Sequence, residues 1–173
     1  MVSFPSDLLN FGFDTMKSNN LEQGLTKVTI ESGQIVLTIA GEATCHIAIN
    51  DLKLVGEYTT ADGPFVDDWF IVFMTSEKVW NQISEYTPGM PAVLQELGTY
   101  LDANMVGWLA SSTSWKTNII WPIQVEGQEM WDVISDKPVT MMARLKQLFG
   151  MQSQRLVLTN AAASVFPSTS AKA

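Results

Sequence analysis

Four carboxylates occur close together between two segments that alternate as strands do. They are Glu57, Asp62, Asp67 and Asp68. Grouped carboxylates can hold a divalent cation or act as general acid and base. The spacing does not follow the calcium-loop pattern, because a Gly-Pro pair comes directly after Asp62.

A solvated turn is the simplest interpretation of this acidic stretch. Asp62 with its Gly-Pro pair supplies a side-chain acceptor, a positive φ and an end to strand pairing. Asp67 and Asp68 are neighbours, so in a strand they would point to opposite faces and could not chelate together. We predict no catalytic residue, metal site or cofactor here. Glu57 and the three aspartates are kept as candidates for contacting a ligand or a partner, because loops carry function.

Cys45 and His46 could form a nucleophile with its base. Adjacent residues of a strand project to opposite faces, so these two side chains cannot hydrogen-bond to each other. We expect Cys45 on the apolar face, with His46 on the polar one. The chain holds one cysteine and one histidine, which nearly excludes a zinc site of nitrogen and sulfur ligands within one chain.

Charge divides the chain sharply. All 18 acidic residues lie in residues 1–136, whereas residues 137–173 contain basic residues only. This asymmetry predicts an acidic α+β domain over 1–136, a basic amphipathic helix and strand over 137–160, and a flexible tail over 161–173.

The basic segment has an apolar stripe at helical spacing, which predicts a helix near 139–149. Its cations Lys137, Arg144 and Lys146 are candidate contacts for an acidic partner. Three targets are open: the acidic body of the same chain, an acidic partner protein or an anionic membrane surface. Docking on the chain's own body is favoured because an intramolecular site competes at high effective concentration. The membrane is the least favoured target, because it would repel the acidic body.

The remaining pattern is of short strands around one clear helix. A hairpin with its turn at Ser32-Gly33 is predicted first, and Met90–Leu101 is predicted as an amphipathic helix with Pro91 in its first turn. The other predicted strands are a third strand through Cys45, Ile47 and Ile49, then 52–58, 69–74, 79–86, 105–109, 117–123 and 130–134. The strand 69–74 is apolar on both faces and is therefore predicted as central and covered on both sides.

These elements favour an α+β fold. We expect a curved, mainly antiparallel sheet, an amphipathic helix after the sixth strand and a second helix near the C-terminus. Over about residues 26–103 the succession of strands into a helix resembles pleckstrin-homology-like domains, a resemblance that implies a bent sheet closed by a helix. The stretch 56–73 is also similar to bacterial proteins, which implies no site residues.

Six tryptophans are many for 173 residues. We expect most of them in the core, although exposed aromatic rings could form a ligand-binding platform. The acidic body is not suited to nucleic acid, and the sequence has no spanning apolar run. Its first residues are not typical of a secretory signal, so we expect none. We therefore predict a non-enzymatic cytoplasmic domain that binds a protein partner, including itself as a homodimer. The alternatives are a carboxylate- or metal-dependent enzyme using residues 57–68 and an aromatic-platform ligand-binding module.

Overall fold

The computed structural model describes residues 26–61, 67–110, 112–135 and 154–167. These residues form nine strands and two α-helices. In chain order they are β1 (Lys27–Glu31), β2 (Gln34–Ile39), β3 (Glu42–Ala48), β4 (Leu54–Thr59), β5 (Trp69–Ser76), β6 (Val79–Ser84), α1 (Met90–Leu101), β7 (Lys116–Trp121), β8 (Trp131–Ser135), β9 (Gln154–Leu158) and α2 (Asn160–Ser164). The architecture is α+β with antiparallel pairing, as predicted, and the strands are distributed over three sheets.

The first sheet has the order β1-β2-β3. Its first turn is at Ser32-Gly33, where both residues have positive φ, as a tight hairpin turn requires. Cys45 lies opposite Leu37 in the register, and His46 lies opposite Val36. The predicted hairpin is confirmed, and alternation along β2 and β3 separates an inner face from an outer one.

The second sheet has the order β6-β5-β4-β7, so β4 and β5 are central. All six residues of β4 are buried, as are the four middle residues of β5. Burial on both faces explains why residues 69–74 are apolar without alternation. The prediction of a central strand covered on both sides is confirmed.

Two separate apolar cores lie against the two faces of this second sheet. One core lies between it, the first sheet and α1, and it includes Val55, Ile71 and Phe73. The other core includes Leu54 and Val72, and side chains of β8, β9 and α2 complete it. Each fully buried aliphatic or aromatic side chain contributes about 1.5–3 kcal/mol to folding, so both layers are needed to stabilise the sheet.

Helix α1 follows the sixth strand as predicted, and it buries Met90, Val93, Leu94 and Leu97 on one side. Its start is tied to the first sheet, because the Val28 amide donates to the Pro88 carbonyl. Gly89 has a φ of 98°, and a Cβ there would clash with the Val28 carbonyl oxygen. Glycine is therefore required where the helix begins beside β1.

Three predictions at element level need correction. Residues 105–109 form an irregular loop, and the strand predicted over 117–123 ends at Trp121, since Pro122 has no amide to continue pairing. The predicted tail begins with α2 instead, and Ala162 and Phe166 are buried in the second core. The helix predicted over 139–149 lies outside the described residues. Of the helices that are described, none is long and apolar enough to cross a membrane.

Candidate functional site

The most unusual side chain of the fold is Glu57, which is fully buried in the middle of β4. Its register partners are Ile71 on β5 and Asn118 on β7. Because alternate residues of a strand share a face, Glu57 lies on the same face as Val55 and Thr59. The sequence interpretation of the acidic stretch as a solvated turn is therefore wrong for Glu57, whose carboxylate points into the protein.

Four N–H groups donate to the Glu57 carboxylate. Oε1 accepts from the Trp108 amide at 2.7 Å and from Asn118 Nδ2 at 2.8 Å. Oε2 accepts from Trp69 Nε1 at 2.7 Å and from the Leu109 amide at 3.4 Å. Charge-assisted bonds of this kind offset the cost of burying a carboxylate. A carboxylate has about four acceptor positions, so these four donors leave no position for a metal ion.

Two of these donors are main-chain amides of the segment that joins α1 to β7. Strand β4 also holds this segment at a second point, because the Thr59 hydroxyl donates to the Ser114 carbonyl at 2.8 Å. Glu57 thus fixes the loop of residues 105–110, called the Trp108 loop below. A buried charged side chain positions an exposed loop.

Gly107 allows this loop to lie directly on the site. A Cβ at Gly107 would be 2.7 Å from both Glu57 Oε2 and Trp69 Cζ2, which is closer than carbon atoms tolerate without movement. On either side of the contact, Met105 is buried, whereas Val106 is 53% exposed and Trp108 is 71% exposed. The loop therefore presents an indole to solvent from a fixed main chain.

Two further aromatic rings continue the surface from the Trp108 loop. Trp69, half-buried beneath Gly107, meets the ring of Tyr86 edge-on with centroids 6.5 Å apart. Tyr86 is 59% exposed, and its hydroxyl donates to Asp68 Oδ1 at 3.1 Å. We call Trp69, Tyr86 and Trp108 the aromatic surface.

Three carboxylates border the aromatic surface, and we call Asp67, Asp68 and Glu85 the acidic rim. Glu85 lies across from Trp69, whose carbonyl accepts the Glu85 amide. Burial and then the negative charge of Glu57 raise the pKa of Glu85. The pKa of Tyr86 is raised by burial first, then by its bond to Asp68 and by the charges of the whole rim. The rim carboxylates therefore lie close enough to Tyr86 to raise its pKa, and Glu57 lies close enough to Glu85 to do the same.

The structure brings together three of the seven candidates named from the sequence. Glu57, Asp67 and Asp68 lie here; Asp67 and Asp68 come just before β5, so the strand alternation expected to separate their side chains does not apply to them. Asp62, Lys137, Arg144 and Lys146 lie outside the described residues. No group of three or more metal-ligating side chains occurs in the described part of the chain.

Sequence reasoning missed Trp108, Tyr86 and Glu85. The expectation of most tryptophans in the core is met by four of the six, since Trp131 is buried and Trp80, Trp115 and Trp121 pack against the two cores. Trp108 is the exposed exception. The available signal was Gly107 beside Trp108 in a segment with few charges, which is weak because it does not reveal the carboxylate beneath. Pairing of distant segments creates the site.

Cys45 and His46 lie on opposite faces, as predicted. Cys45 packs against the first core and donates to Asn81 Oδ1 at 3.5 Å, and burial raises the pKa of its thiol. His46 is exposed, with Nδ1 lying 3.2 Å from Gln34 Oε1. The two side chains therefore form no catalytic dyad.

Comparisons of the chain with protein-family models, with curated proteins and with solved structures found no match. The resemblance to pleckstrin-homology-like domains therefore stays a prediction. Function has to be inferred from the geometry of the chain itself.

Proposed function

We propose that this chain is a protein-binding domain whose contact surface is centred on Trp108. The observation that carries the proposal is an exposed indole on a loop that a buried carboxylate fixes from below. Leaving a large aromatic side chain in water forgoes the free energy that its burial would provide. A partner that covers Trp108 would recover that free energy.

The fixed main chain supports binding in a second way. Association costs free energy when loops and side chains must become ordered. The Trp108 loop is already held through Glu57 and through the close approach of Gly107. Tryptophan and tyrosine are also the side chains most enriched among residues that dominate interface energies, and Tyr86 lies beside the same Trp69 ring.

The occupied carboxylate argues against the enzyme alternative at Glu57. A general base or a metal ligand needs a free acceptor position in reach of its substrate or ion. Both oxygens of Glu57 are engaged by N–H donors, and the side chain is fully buried. The role supported best for Glu57 is therefore positioning the Trp108 loop.

Selection from a random peptide library displayed on phage tests the proposal without a known partner. We expect wild-type protein to enrich peptides whose affinity falls at least about tenfold in Trp108→Ala, because truncating a central interface tryptophan has effects of this size. Ile123→Ala is the matched control: Ile123 is 70% exposed, and it follows Trp121, which pairs with Val55 rather than with Glu57.

Two outcomes would contradict the proposal. One is that no peptide is enriched over several rounds. The other is that the enriched peptides bind Trp108→Ala as well as they bind the wild type. Light scattering on the same proteins tests self-association as well, because a dimer that Trp108→Ala converts to monomer would identify a second copy as the partner at this surface.

A further inference from the structure

The acidic rim has no cation of its own among the described residues. Asp68 accepts a hydrogen bond from Tyr86, and no carboxylate of the rim forms a salt bridge in the described part of the chain. Among the described cations, Lys116 lies two strands away from Trp69 in the register, and Lys27 precedes Val28, whose amide donates to the Pro88 carbonyl. Buried Glu57 adds negative charge behind the rim. The surface therefore attracts cations.

Glu85 also has an acceptor without a donor. Its Oε2 is buried and has no hydrogen-bond partner, although the side chain as a whole is only half-buried. A buried polar atom without a partner costs free energy. An incoming N–H group beside Trp69 would supply the missing hydrogen bond once the half-buried Glu85 side chain turns toward solvent.

The aromatic surface adds a second attraction for the same kind of group. A cation over an indole or phenol ring is attracted by the negative face of the ring, and indole is the strongest of these partners. Trp108 and Tyr86 are both exposed; the Tyr86 ring meets the Trp69 ring edge-on, and Gly107, the residue before Trp108, lies directly against Trp69. An exposed aromatic ring, that of Tyr86, therefore lies beside a carboxylate of the rim, Asp68, with which its hydroxyl bonds.

We infer that the aromatic surface and the acidic rim bind an arginine-containing segment of a partner protein. This inference rests on the proposed function and specifies the chemistry of the partner. The planar guanidinium stacks on aromatic rings and donates two parallel hydrogen bonds to a carboxylate, which an ammonium group cannot do. Anionic membranes and nucleic acid carry the wrong charge for this surface.

A matched pair of peptides tests the inference. The probes are the acetylated, amidated pentapeptide Gly-Leu-Arg-Leu-Gly and the same peptide with citrulline, which keeps the shape of arginine but has no charge. Binding to the full chain is followed by NMR through the indole N–H signal of Trp108, assigned by its loss in Trp108→Ala. We expect the citrulline peptide to bind at least about threefold more weakly, the size of an exposed cation–π contact or ion pair.

Two variants, each lacking one negative charge, test whether the arginine side chain binds at the acidic rim. Glu85→Gln should weaken the arginine peptide by about threefold or more and leave the citrulline peptide unchanged. Glu42→Gln removes the same charge from an exposed position at the start of β3, in the first sheet, and should change the affinity for neither peptide. Equal binding of the two peptides would overturn the inference, as would no shift of the indole signal up to the solubility limit of the arginine peptide.

Two further results separate the possible failures. Library peptides that need Trp108 but contain no basic residue would leave the proposed function standing and show the inference to be wrong. If the double substitution Arg144→Gln and Lys146→Gln increases affinity for the arginine peptide severalfold, the chain's own basic segment occupies the surface and the assignment to a partner is wrong. An unchanged affinity in that variant supports the assignment to a partner.

Discussion

Glu57 and Tyr58 are neighbours on β4, yet they belong to two different regions of the protein. Glu57 faces the first core, and its four donors include two main-chain amides of an exposed loop. Tyr58 faces the second core, where its hydroxyl donates to Gln82 Oε1 at 2.7 Å and its ring stacks on Phe70 with centroids 5.0 Å apart. Both polar groups are satisfied, but only Glu57 fixes a segment that solvent reaches.

The difference shows how one strand can provide both stability and a surface. Around Tyr58 the aromatic rings of Trp115 and Trp131 close the layer at centroid distances of 5.3 and 5.9 Å. Around Glu57 the aromatic ring of Trp69 stays half-buried, and Trp108 on the loop above it is mostly exposed to solvent. The layer around Tyr58 is closed, whereas the layer around Glu57 ends in the exposed aromatic surface.

The largest effect is expected from Glu57→Gln. The substituted amide has one oxygen where the carboxylate has two, so its NH2 group would face at least one of the existing N–H donors. Because unsatisfied buried groups cost about 1–3 kcal/mol each, we expect a loss of about 2–4 kcal/mol in the free energy of unfolding, measured with urea. A loss below about 1 kcal/mol would show that the Trp108 loop is not anchored by Glu57.

The next tests are two glycine-to-alanine substitutions, one on the side of Glu57 and one on the side of Tyr58. Gly107→Ala would place a Cβ against Glu57 and Trp69, and we expect a loss of about 1–3 kcal/mol in the free energy of unfolding together with displacement of the Trp108 loop. Val106→Ala in the same loop is the control and should stay within about 0.5 kcal/mol of the wild type.

Gly56→Ala makes the same addition on the closed face. The methyl group there would meet the Met130 Sδ at 2.7 Å and the Asn118 carbonyl oxygen at 2.9 Å. We expect it to lower the free energy of unfolding by about 1–3 kcal/mol and to leave peptide binding at Trp108 unchanged per folded molecule. Loss of binding in Gly56→Ala alone would contradict the separation of the two faces.

Tyr58→Phe should have a smaller effect. It removes one hydroxyl and frees Gln82, which is exposed and can turn to water. We expect a loss of about 0.5–1.5 kcal/mol in the free energy of unfolding, measured by the same urea titration. A loss as large as that of Glu57→Gln would show that the closed face depends on its polar contact as much as the open one does.

The smallest effect concerns pH. Because the pKa of Glu85 is raised in the folded state, the folded protein binds the proton more tightly than the unfolded chain does. Stability should therefore fall as pH rises from the ordinary pKa of a glutamate through the raised value. Glu85→Gln should make the urea midpoint less dependent on pH in this range, and an unchanged pH profile would contradict the raised pKa of Glu85, whose main cause is burial.

Most of the fold could be predicted from local pattern, and the site could not. Alternation around Val28 and Ile35, the turn at Gly33 and the helical spacing from Met90 are short-range signals that match the structure. The contact of Glu57 with Trp108 joins residues far apart in the chain, and neither residue type predicts the other. Pairing of β4 with β7 and the path of the Trp108 loop create the site, and neither produces a periodic pattern in the sequence that could predict it.

Hydrogen exchange of the two N–H groups of Trp108 tests the central claim most directly. The main-chain amide donates to a fully buried carboxylate, whereas the indole Nε1–H makes no hydrogen bond to a described residue. We predict that the amide exchanges at least about 100-fold more slowly than the Val106 amide, that the indole N–H exchanges as freely as in a short peptide, and that Glu57→Gln abolishes the amide protection. An unprotected Trp108 amide, or a protected indole, would contradict an exposed tryptophan held in place by Glu57.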